Sequence, residues 1–76
     1  MTQEKLNELV KNVEANFKSR VTVWGNDTET FIECKGYRGP SKKVEKVIHD
    51  TGLVITEQHW SDGSSYTGYY YWVEQK

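Results

Sequence analysis

Two strand-forming runs in the last third of the chain constrain its fold most strongly. Residues 53–56 and 66–73 are rich in β-branched and aromatic side chains, and Asp62-Gly63 lies between them. Asp-Gly favours a two-residue turn of the primed type, because both central residues need a positive φ. The pattern therefore predicts a β-hairpin with Asp62 and Gly63 at its tip. The predicted facing pairs are Leu53 with Trp72, Ile55 with Tyr70, Trp60 with Ser65, and Ser61 with Ser64.

Alternation along these two strands then assigns each side chain of the hairpin to one of two faces. Both faces are apolar enough to need cover, and a chain of 76 residues has little with which to cover both. We therefore expect one aromatic surface to be left over. The first face carries Leu53, Ile55, Tyr70 and Trp72, and the second carries Val54, Thr56, Trp60, Tyr69, Tyr71 and Val73.

An earlier hairpin is predicted within residues 21–34. Turn residues Gly25-Asn26-Asp27 separate two runs that alternate like strands. With Asn26-Asp27 at the tip, Val23 faces Thr30 and Val21 faces Ile32. This register gathers the apolar side chains on one side, and a slip by one residue would mix the sides. The apolar side is Val21, Val23, Ile32 and Cys34, and the other side is Trp24, Phe31 and Glu33.

Each hairpin is preceded by a helical segment. Apolar residues at helical spacing predict a helix from residue 2 to about residue 19, with Thr2 as its N-cap. A shorter helix is predicted at Lys42–Asp50, with Ser41 as its N-cap and Gly52 in the left-handed conformation just after its last turn. The predicted buried residues are Leu6, Leu9, Val10, Val13 and Phe17 in the first helix, and Val44, Val47 and Ile48 in the second.

The order of elements, α-β-β-α-β-β, predicts a two-layer α+β sandwich. In this fold one four-stranded antiparallel sheet carries both helices on one face, and residues 1–76 form a single small domain. The topology resembles a circularly permuted ferredoxin-like fold. That likeness concerns topology alone and implies no function.

Two helices on one face leave the other face of the sheet open. The predicted alternation places Trp24, Phe31, Tyr69 and Tyr71 there, together with Val54 and Trp60. Tyr and Trp dominate binding energy at interfaces, because they bury much area with few rotatable bonds. Two other interpretations are that the rings stiffen the sheet by cross-strand pairing, or that the faces are exchanged and the rings form the core. The predicted partner-binding residues are Trp24, Phe31, Trp60, Tyr69 and Tyr71.

The net charge of −1 bears on the kind of partner. Polyanion binders usually carry a clear basic excess, so near neutrality and aromatic enrichment favour a protein partner, either a different protein or a second copy of the chain. The alternative is a single-stranded RNA or DNA whose bases stack on the same rings. Acidic residues on the flanking strands would repel its phosphates, and these are Glu29, Glu33, Glu57 and Glu74.

A basic segment links the first hairpin to the second helix. Half of the ten basic residues fall within residues 35–46. Backbone N–H groups at the start of the second helix form a predicted anion-binding site. The other interpretation is a solvated loop with long side chains. The residues predicted to steer an acidic partner or to bind an anion are Lys35, Arg38, Lys42 and Lys43.

No pattern typical of an enzyme, a metal site or a bound cofactor is present. Cys34, His49 and His59 lack the spacing of zinc ligands, and a domain of this size has little room for a deep cleft. No apolar run approaches the roughly 20 residues that span a bilayer. A single cysteine cannot form an internal disulfide, which favours a reducing cytoplasm. We therefore predict a non-catalytic cytoplasmic adaptor or inhibitor, comparable in size to small accessory proteins of phages, without cofactor, metal or membrane contact.

Overall fold

A computed structural model describes residues 1–26, 28–63 and 66–76 of the chain. The order of its helices and strands is the predicted one, and the predicted α+β class is confirmed. The elements are α1 (Gln3–Asn16), β1 (Val21–Gly25), β2 (Thr30–Lys35), α2 (Lys42–Asp50), β3 (Leu53–Asp62) and β4 (Thr67–Gln75).

Both helices begin at the predicted caps. The Thr2 hydroxyl accepts the backbone N–H of Lys5 at 3.1 Å, and the Ser41 hydroxyl accepts that of Val44 at 3.3 Å. Helix α1 ends at Asn16, earlier than predicted, because Phe17 takes an extended conformation. Gly52, just after α2, has the predicted positive φ of 82°.

Within the described residues, four strands form one sheet in the order β1-β2-β4-β3, and every neighbouring pair is antiparallel. Strands β2 and β3 are therefore parallel to each other, and β4 lies between them. Helix α2 connects β2 to β3, so this half of the molecule is a split β-α-β unit. The arrangement leaves β1 and β3 as the edges of the sheet.

The hydrophobic core lies between the helices and one face of the sheet, as predicted. Leu9 and Val13 of α1 and the apolar edge of α2 are buried in a single cluster with residues from all four strands. We call the opposite side of the sheet, which neither helix covers, the open face. The strand residues in the core cluster are Val21, Ile32, Cys34, Leu53, Tyr69, Tyr71 and Val73.

The first hairpin confirms the predicted faces but not the predicted register. Val21 pairs with Cys34 and Val23 with Ile32, two residues away from the expected partners. A shift of two residues preserves the side on which each residue lies, so the apolar side still faces the helices. Asp27, half of the predicted tip, lies outside the described residues.

The second hairpin differs from the prediction in both its tip and its faces. Asp62 pairs with Thr67, and the Gly63 N–H donates to the Tyr66 carbonyl at 2.7 Å, so the ladder continues past the predicted turn. Ser64 and Ser65 lie outside the described residues. Their predicted partners Ser61 and Trp60 instead pair with Gly68 and Tyr69.

A β-bulge explains the change of faces. Ile55 pairs with Val73 and Glu57 with Trp72, so β3 has one more residue than β4 at this point. The extra residue reverses the alternation of β3 relative to β4. Leu53 and Ile55 therefore share the core side with Val73, whereas uninterrupted pairing would have placed them with Trp72 on the open face.

Candidate interaction surface

The structure divides the predicted partner-binding residues into three groups. Trp24 and Phe31 lie on the open face, as predicted. Tyr69 and Tyr71 were predicted there as well, and that placement is wrong, since they are 8% and 0% exposed in the core. Trp60 is 52% exposed, but its pairing with Tyr69 puts it on the side of the helices.

The physical reason for the correction lies in the pairing of β4 with β2. Cys34 pairs with Tyr69 and Ile32 with Tyr71, and directly opposite residues share a face. The helices cover the Ile32 side, so the odd-numbered rings of β4 become core. The bulge in β3 then lets Leu53 follow them to the same side.

An aromatic row crosses the open face in place of the predicted set. Trp24 pairs with Phe31, and Phe31 pairs with Trp72, so the three side chains lie side by side on β1, β2 and β4. The rings of Phe31 and Trp72 are stacked, with centroids 5.3 Å apart. Tyr70 lies beside this row, 6.0 Å from Trp72 between centroids. Trp24 is the most exposed of these rings, at 51%.

Three aromatic donors converge on the carboxylate of Glu33 in the middle of the open face. The indole N–H of Trp24 donates to Oε1 at 3.0 Å. The hydroxyl of Tyr66 donates to Oε2, and that of Tyr70 lies 3.4 Å from the same oxygen. We call these four residues the Glu33 cluster. The cluster fixes the orientation of its rings, because each bond to the carboxylate restrains a side chain.

The Glu33 cluster keeps its carboxylate ionised. The hydrogen bond from Tyr66 is the main cause that lowers the pKa of Glu33, against an opposing effect of partial burial. Bonds from Trp24 and Tyr70 and the charge of Lys35 lower that pKa further. Desolvation, followed by the bond to Glu33, raises the pKa of Tyr66.

Gly68 makes room for the Tyr66 ring over the sheet. A Cβ atom at Gly68 would lie 3.0 Å from the Tyr66 hydroxyl oxygen and 3.2 Å from its Cε1. Gly68 pairs with Lys35 on the open face, so a side chain there would push the Tyr66 ring away from Glu33. The absence of a Cβ is therefore part of how the Glu33 cluster is built.

Comparison with protein-family models, with curated proteins and with solved structures gives no match.

Acidic groups surround the β3 side of the aromatic row. Glu57 pairs directly with Trp72 across the sheet, and its Oε1 lies 2.9 Å from Nε2 of His59. The His59 ring meets Trp72 edge-on, with centroids 5.5 Å apart. At the end of the sheet, Trp72 lines a depression together with the acidic residues Glu29 and Glu74.

The predicted basic residues lie at the opposite end of the strands and are spread over two elements and a loop. Lys35 ends β2, and Arg38 is exposed in the loop before α2. Lys42 and Lys43 are exposed in the first turn of α2, where Nζ of Lys43 lies 5.1 Å from the centroid of the Phe17 ring.

The start of α2 is already engaged by protein groups. The Ser41 N–H donates to the Tyr71 hydroxyl at 2.7 Å, and the Val44 N–H donates to Ser41. The Tyr71 hydroxyl in turn donates to Glu45 at 2.8 Å. These bonds occupy two of the backbone donors that were proposed to hold an anion.

Sequence reasoning missed several residues of the open face. Tyr70 and Trp72 were placed on the other side, because the bulge in β3 has no Gly or other marker in the sequence. Glu33 was placed correctly but read only as a charge that repels phosphate. Arg20 was also missed, although it lines one depression with Lys35 and another with Lys43.

Two features of the described residues bear on other functions. Neither helix is long and apolar enough to cross a bilayer. No group of three His, Cys, Asp or Glu side chains in this part of the chain is arranged to hold a metal ion. Cys34 is buried, and burial raises the pKa of its thiol to about 12.

Proposed function

We propose that this protein is a non-catalytic interaction domain that binds a protein partner through its open face. The observation that supports this most directly is the aromatic row of Trp24, Phe31 and Trp72 on a sheet face that neither α1 nor α2 covers. Tryptophan and tyrosine are the residues most enriched among those that carry binding energy at interfaces. The corrected candidate residues are Trp24, Phe31, Tyr70 and Trp72.

The Glu33 cluster supports the same proposal. Rings that are held in place before binding lose less side-chain entropy when a partner arrives. Trp24, Tyr66 and Tyr70 are restrained by a shared carboxylate instead of by the core. A cross-strand pair that merely stiffened the sheet would not need this common acceptor.

The basic residues at one end of the molecule are placed where they would raise the rate of association with an acidic partner. Lys35, Arg38, Lys42 and Lys43 are exposed, and Arg20 lies among them. Charges at the rim of an interface chiefly change the rate at which partners meet, and less their final affinity. We propose that they steer an acidic part of the partner towards the domain, acting in the cytoplasm as an adaptor or inhibitor.

A single-stranded nucleic acid is the other candidate, and one observation favours it. The stacked rings of Phe31 and Trp72 lie on β2 and β4, the two inner strands of the sheet. Aromatic rings on inner strands are the kind of platform on which RNA-binding sheets stack unpaired bases. The carboxylates of Glu33, Glu57 and Glu74 on the same face oppose a phosphate backbone. The balance of these charges favours a protein.

Trp24 and Trp60 provide a matched pair of variants for the test. Their exposures of 51% and 52% are almost equal, but they lie on opposite sides of the sheet. The immobilised protein is used to capture partners from cytosolic extract, and each retained protein is then titrated in purified form. We expect Trp24→Ala to weaken its binding by about tenfold or more, as for an interface hot spot. Trp60→Ala should leave the affinity within about twofold of wild type, the range of a near-neutral contact.

Three other outcomes would contradict the proposal or change the kind of partner. Equal loss of binding in both variants would contradict docking on the open face. Quenching of tryptophan fluorescence by a short oligonucleotide, weakening steeply with salt, would support the nucleic-acid alternative. Light scattering that shows a dimer, dissociated by Trp24→Ala alone, would make the partner a second copy.

A further inference from the structure

We infer that the part of the open face around Trp72 binds an arginine side chain of the protein partner. This inference rests on the proposed function and specifies the chemistry of what docks there. An aromatic ring, carboxylates on neighbouring positions and a depression lie next to one another at this end of the sheet.

The carboxylates are placed around Trp72 by the register of the sheet. Glu57 lies directly opposite Trp72 on β3, and Glu74 lies two residues further along β4 on the same face. Glu33 lies diagonally across on β2, since it pairs with Tyr70. The ring therefore has acidic neighbours on several sides.

A depression of about 310 Å³ opens beside this ring. Trp72 forms part of its wall, and Glu29 and Glu74 are among the residues that line it. The described residues that line it include no lysine or arginine. The other residues that line it are Met1, Asn26, Thr28, Thr30, Thr56, Val73 and Gln75, most of which carry a polar side chain.

An arginine side chain matches the depression beside Trp72 better than a lysine or a neutral side chain does. The guanidinium is planar, stacks on aromatic faces and carries five N–H donors in a fixed fork that suits carboxylates. A cation over a tryptophan ring at an exposed site gains about two- to fivefold in affinity, and more when water is excluded. An acidic or phosphate-bearing group would meet Glu29, Glu57 and Glu74 instead.

Two basic residues of the chain mark the other end of the sheet. Arg20 and Lys35 lie at the opposite end of the strands, where β1 begins and β2 ends. The open face is therefore acidic at the Trp72 end and basic at the other. A partner with an arginine over Trp72 and acidic groups near Lys35 would match both ends. These two contacts would fix the direction in which the partner lies along the strands.

The experiment uses the full chain and a blocked peptide that contains three arginines separated by glycines. A matched peptide carries citrulline, which has nearly the same shape and no charge, and a third peptide carries lysine. Binding is followed by NMR through the indole N–H signals of Trp24, Trp60 and Trp72. We expect the arginine peptide to bind about tenfold more tightly than the citrulline peptide, with the lysine peptide between them. The Trp72 signal should shift and the Trp60 signal should not.

A pair of charge-matched variants tests the carboxylates. Glu29→Gln/Glu74→Gln should reduce the difference between the arginine and citrulline peptides from about tenfold to about two- to fivefold, the part that the aromatic ring supplies. Glu8→Gln/Glu14→Gln removes the same charge from exposed positions on α1 and should preserve the difference. Equal affinity of the two peptides for wild type, or an equal loss in both variants, would overturn the inference.

The two proposals can fail separately. If the peptides show no preference for arginine but a captured protein still depends on Trp24, the inference is wrong and the proposed function stands. If the captured protein is also indifferent to Trp24→Ala, both are wrong.

Discussion

Neighbouring residues of β4 occupy two different environments. Tyr69 and Tyr71 point into the core beneath the helices, whereas Tyr70 and Trp72 lie on the open face. Tyr71 is completely buried, and its hydroxyl accepts from the Ser41 N–H and donates to Glu45. The Tyr70 hydroxyl is directed towards Glu33 and lies 3.0 Å from that of Tyr66.

The difference shows two uses of the same residue type. In the core, the tyrosine hydroxyl joins the sheet to the start of α2, and its polar end is satisfied so that the ring can be buried. On the open face, the hydroxyls surround a charge that takes no part in helix packing. The buried tyrosines connect the sheet to the helices, whereas the rings of the Glu33 cluster are fixed in position on the surface of the sheet.

The largest expected effect comes from truncating one ring on each side of β4. Tyr71→Ala should destabilise the domain by about 3–5 kcal/mol, because it removes a fully buried ring and leaves a cavity. Trp72→Ala should cost about 1–2 kcal/mol, since that ring is only half-buried. Urea unfolding monitored by circular dichroism measures both changes.

Tyr71→Phe separates the hydroxyl from the ring in this comparison. It should cost about 1–2 kcal/mol, because it leaves the Ser41 N–H and Glu45 without their buried partner. A smaller loss for Tyr71→Ala than for Trp72→Ala would contradict the assignment of the two faces.

Local patterns in the sequence were sufficient for the starts of both helices and for the faces of the first hairpin. Thr2 and Ser41 are caps whose side chains act within one turn, so neighbouring residues define them. The predicted face of each residue in β1 and β2 is correct although the predicted pairing is not, because the two pairings differ by two residues and side chains alternate with a period of two.

The second hairpin required information that local patterns do not contain. The bulge between Ile55 and Glu57 reverses one strand relative to the other, and it allows Leu53 and Val73 to be buried together in the core. Asp62-Gly63 is a turn sequence by propensity, yet ladder pairing of Asp62 with Thr67 prevails. Tertiary packing therefore decided which tyrosines became core, and with them the members of the candidate site.

A glycine comparison gives the next largest effect. Gly68→Ala should cost about 1–2 kcal/mol, because the new Cβ meets the Tyr66 ring and displaces its hydroxyl from Glu33. Gly39 has no atom within 4 Å of the position that a Cβ would take, so Gly39→Ala should change stability by less than about 0.5 kcal/mol. Thermal unfolding of the two variants measures the difference, and similar losses would contradict the role of Gly68.

The smallest expected effect concerns the charge at the centre of the open face. The pKa of Glu33 is lowered in the folded protein by Tyr66 and its other donors, so its ionised form stabilises the fold above the unfolded-state pKa of about 4.5. That contribution is lost as the pH falls through the lowered folded-state pKa. Glu33→Gln should therefore cost about 1 kcal/mol at pH 7 and make stability less dependent on pH below about 4.5. Glu74→Gln, at an exposed position of the same face, serves as the control in urea titrations from pH 7 to pH 3. An acid limb that is equally steep in Glu33→Gln and wild type would show that the aromatic donors do not hold this carboxylate in its ionised form.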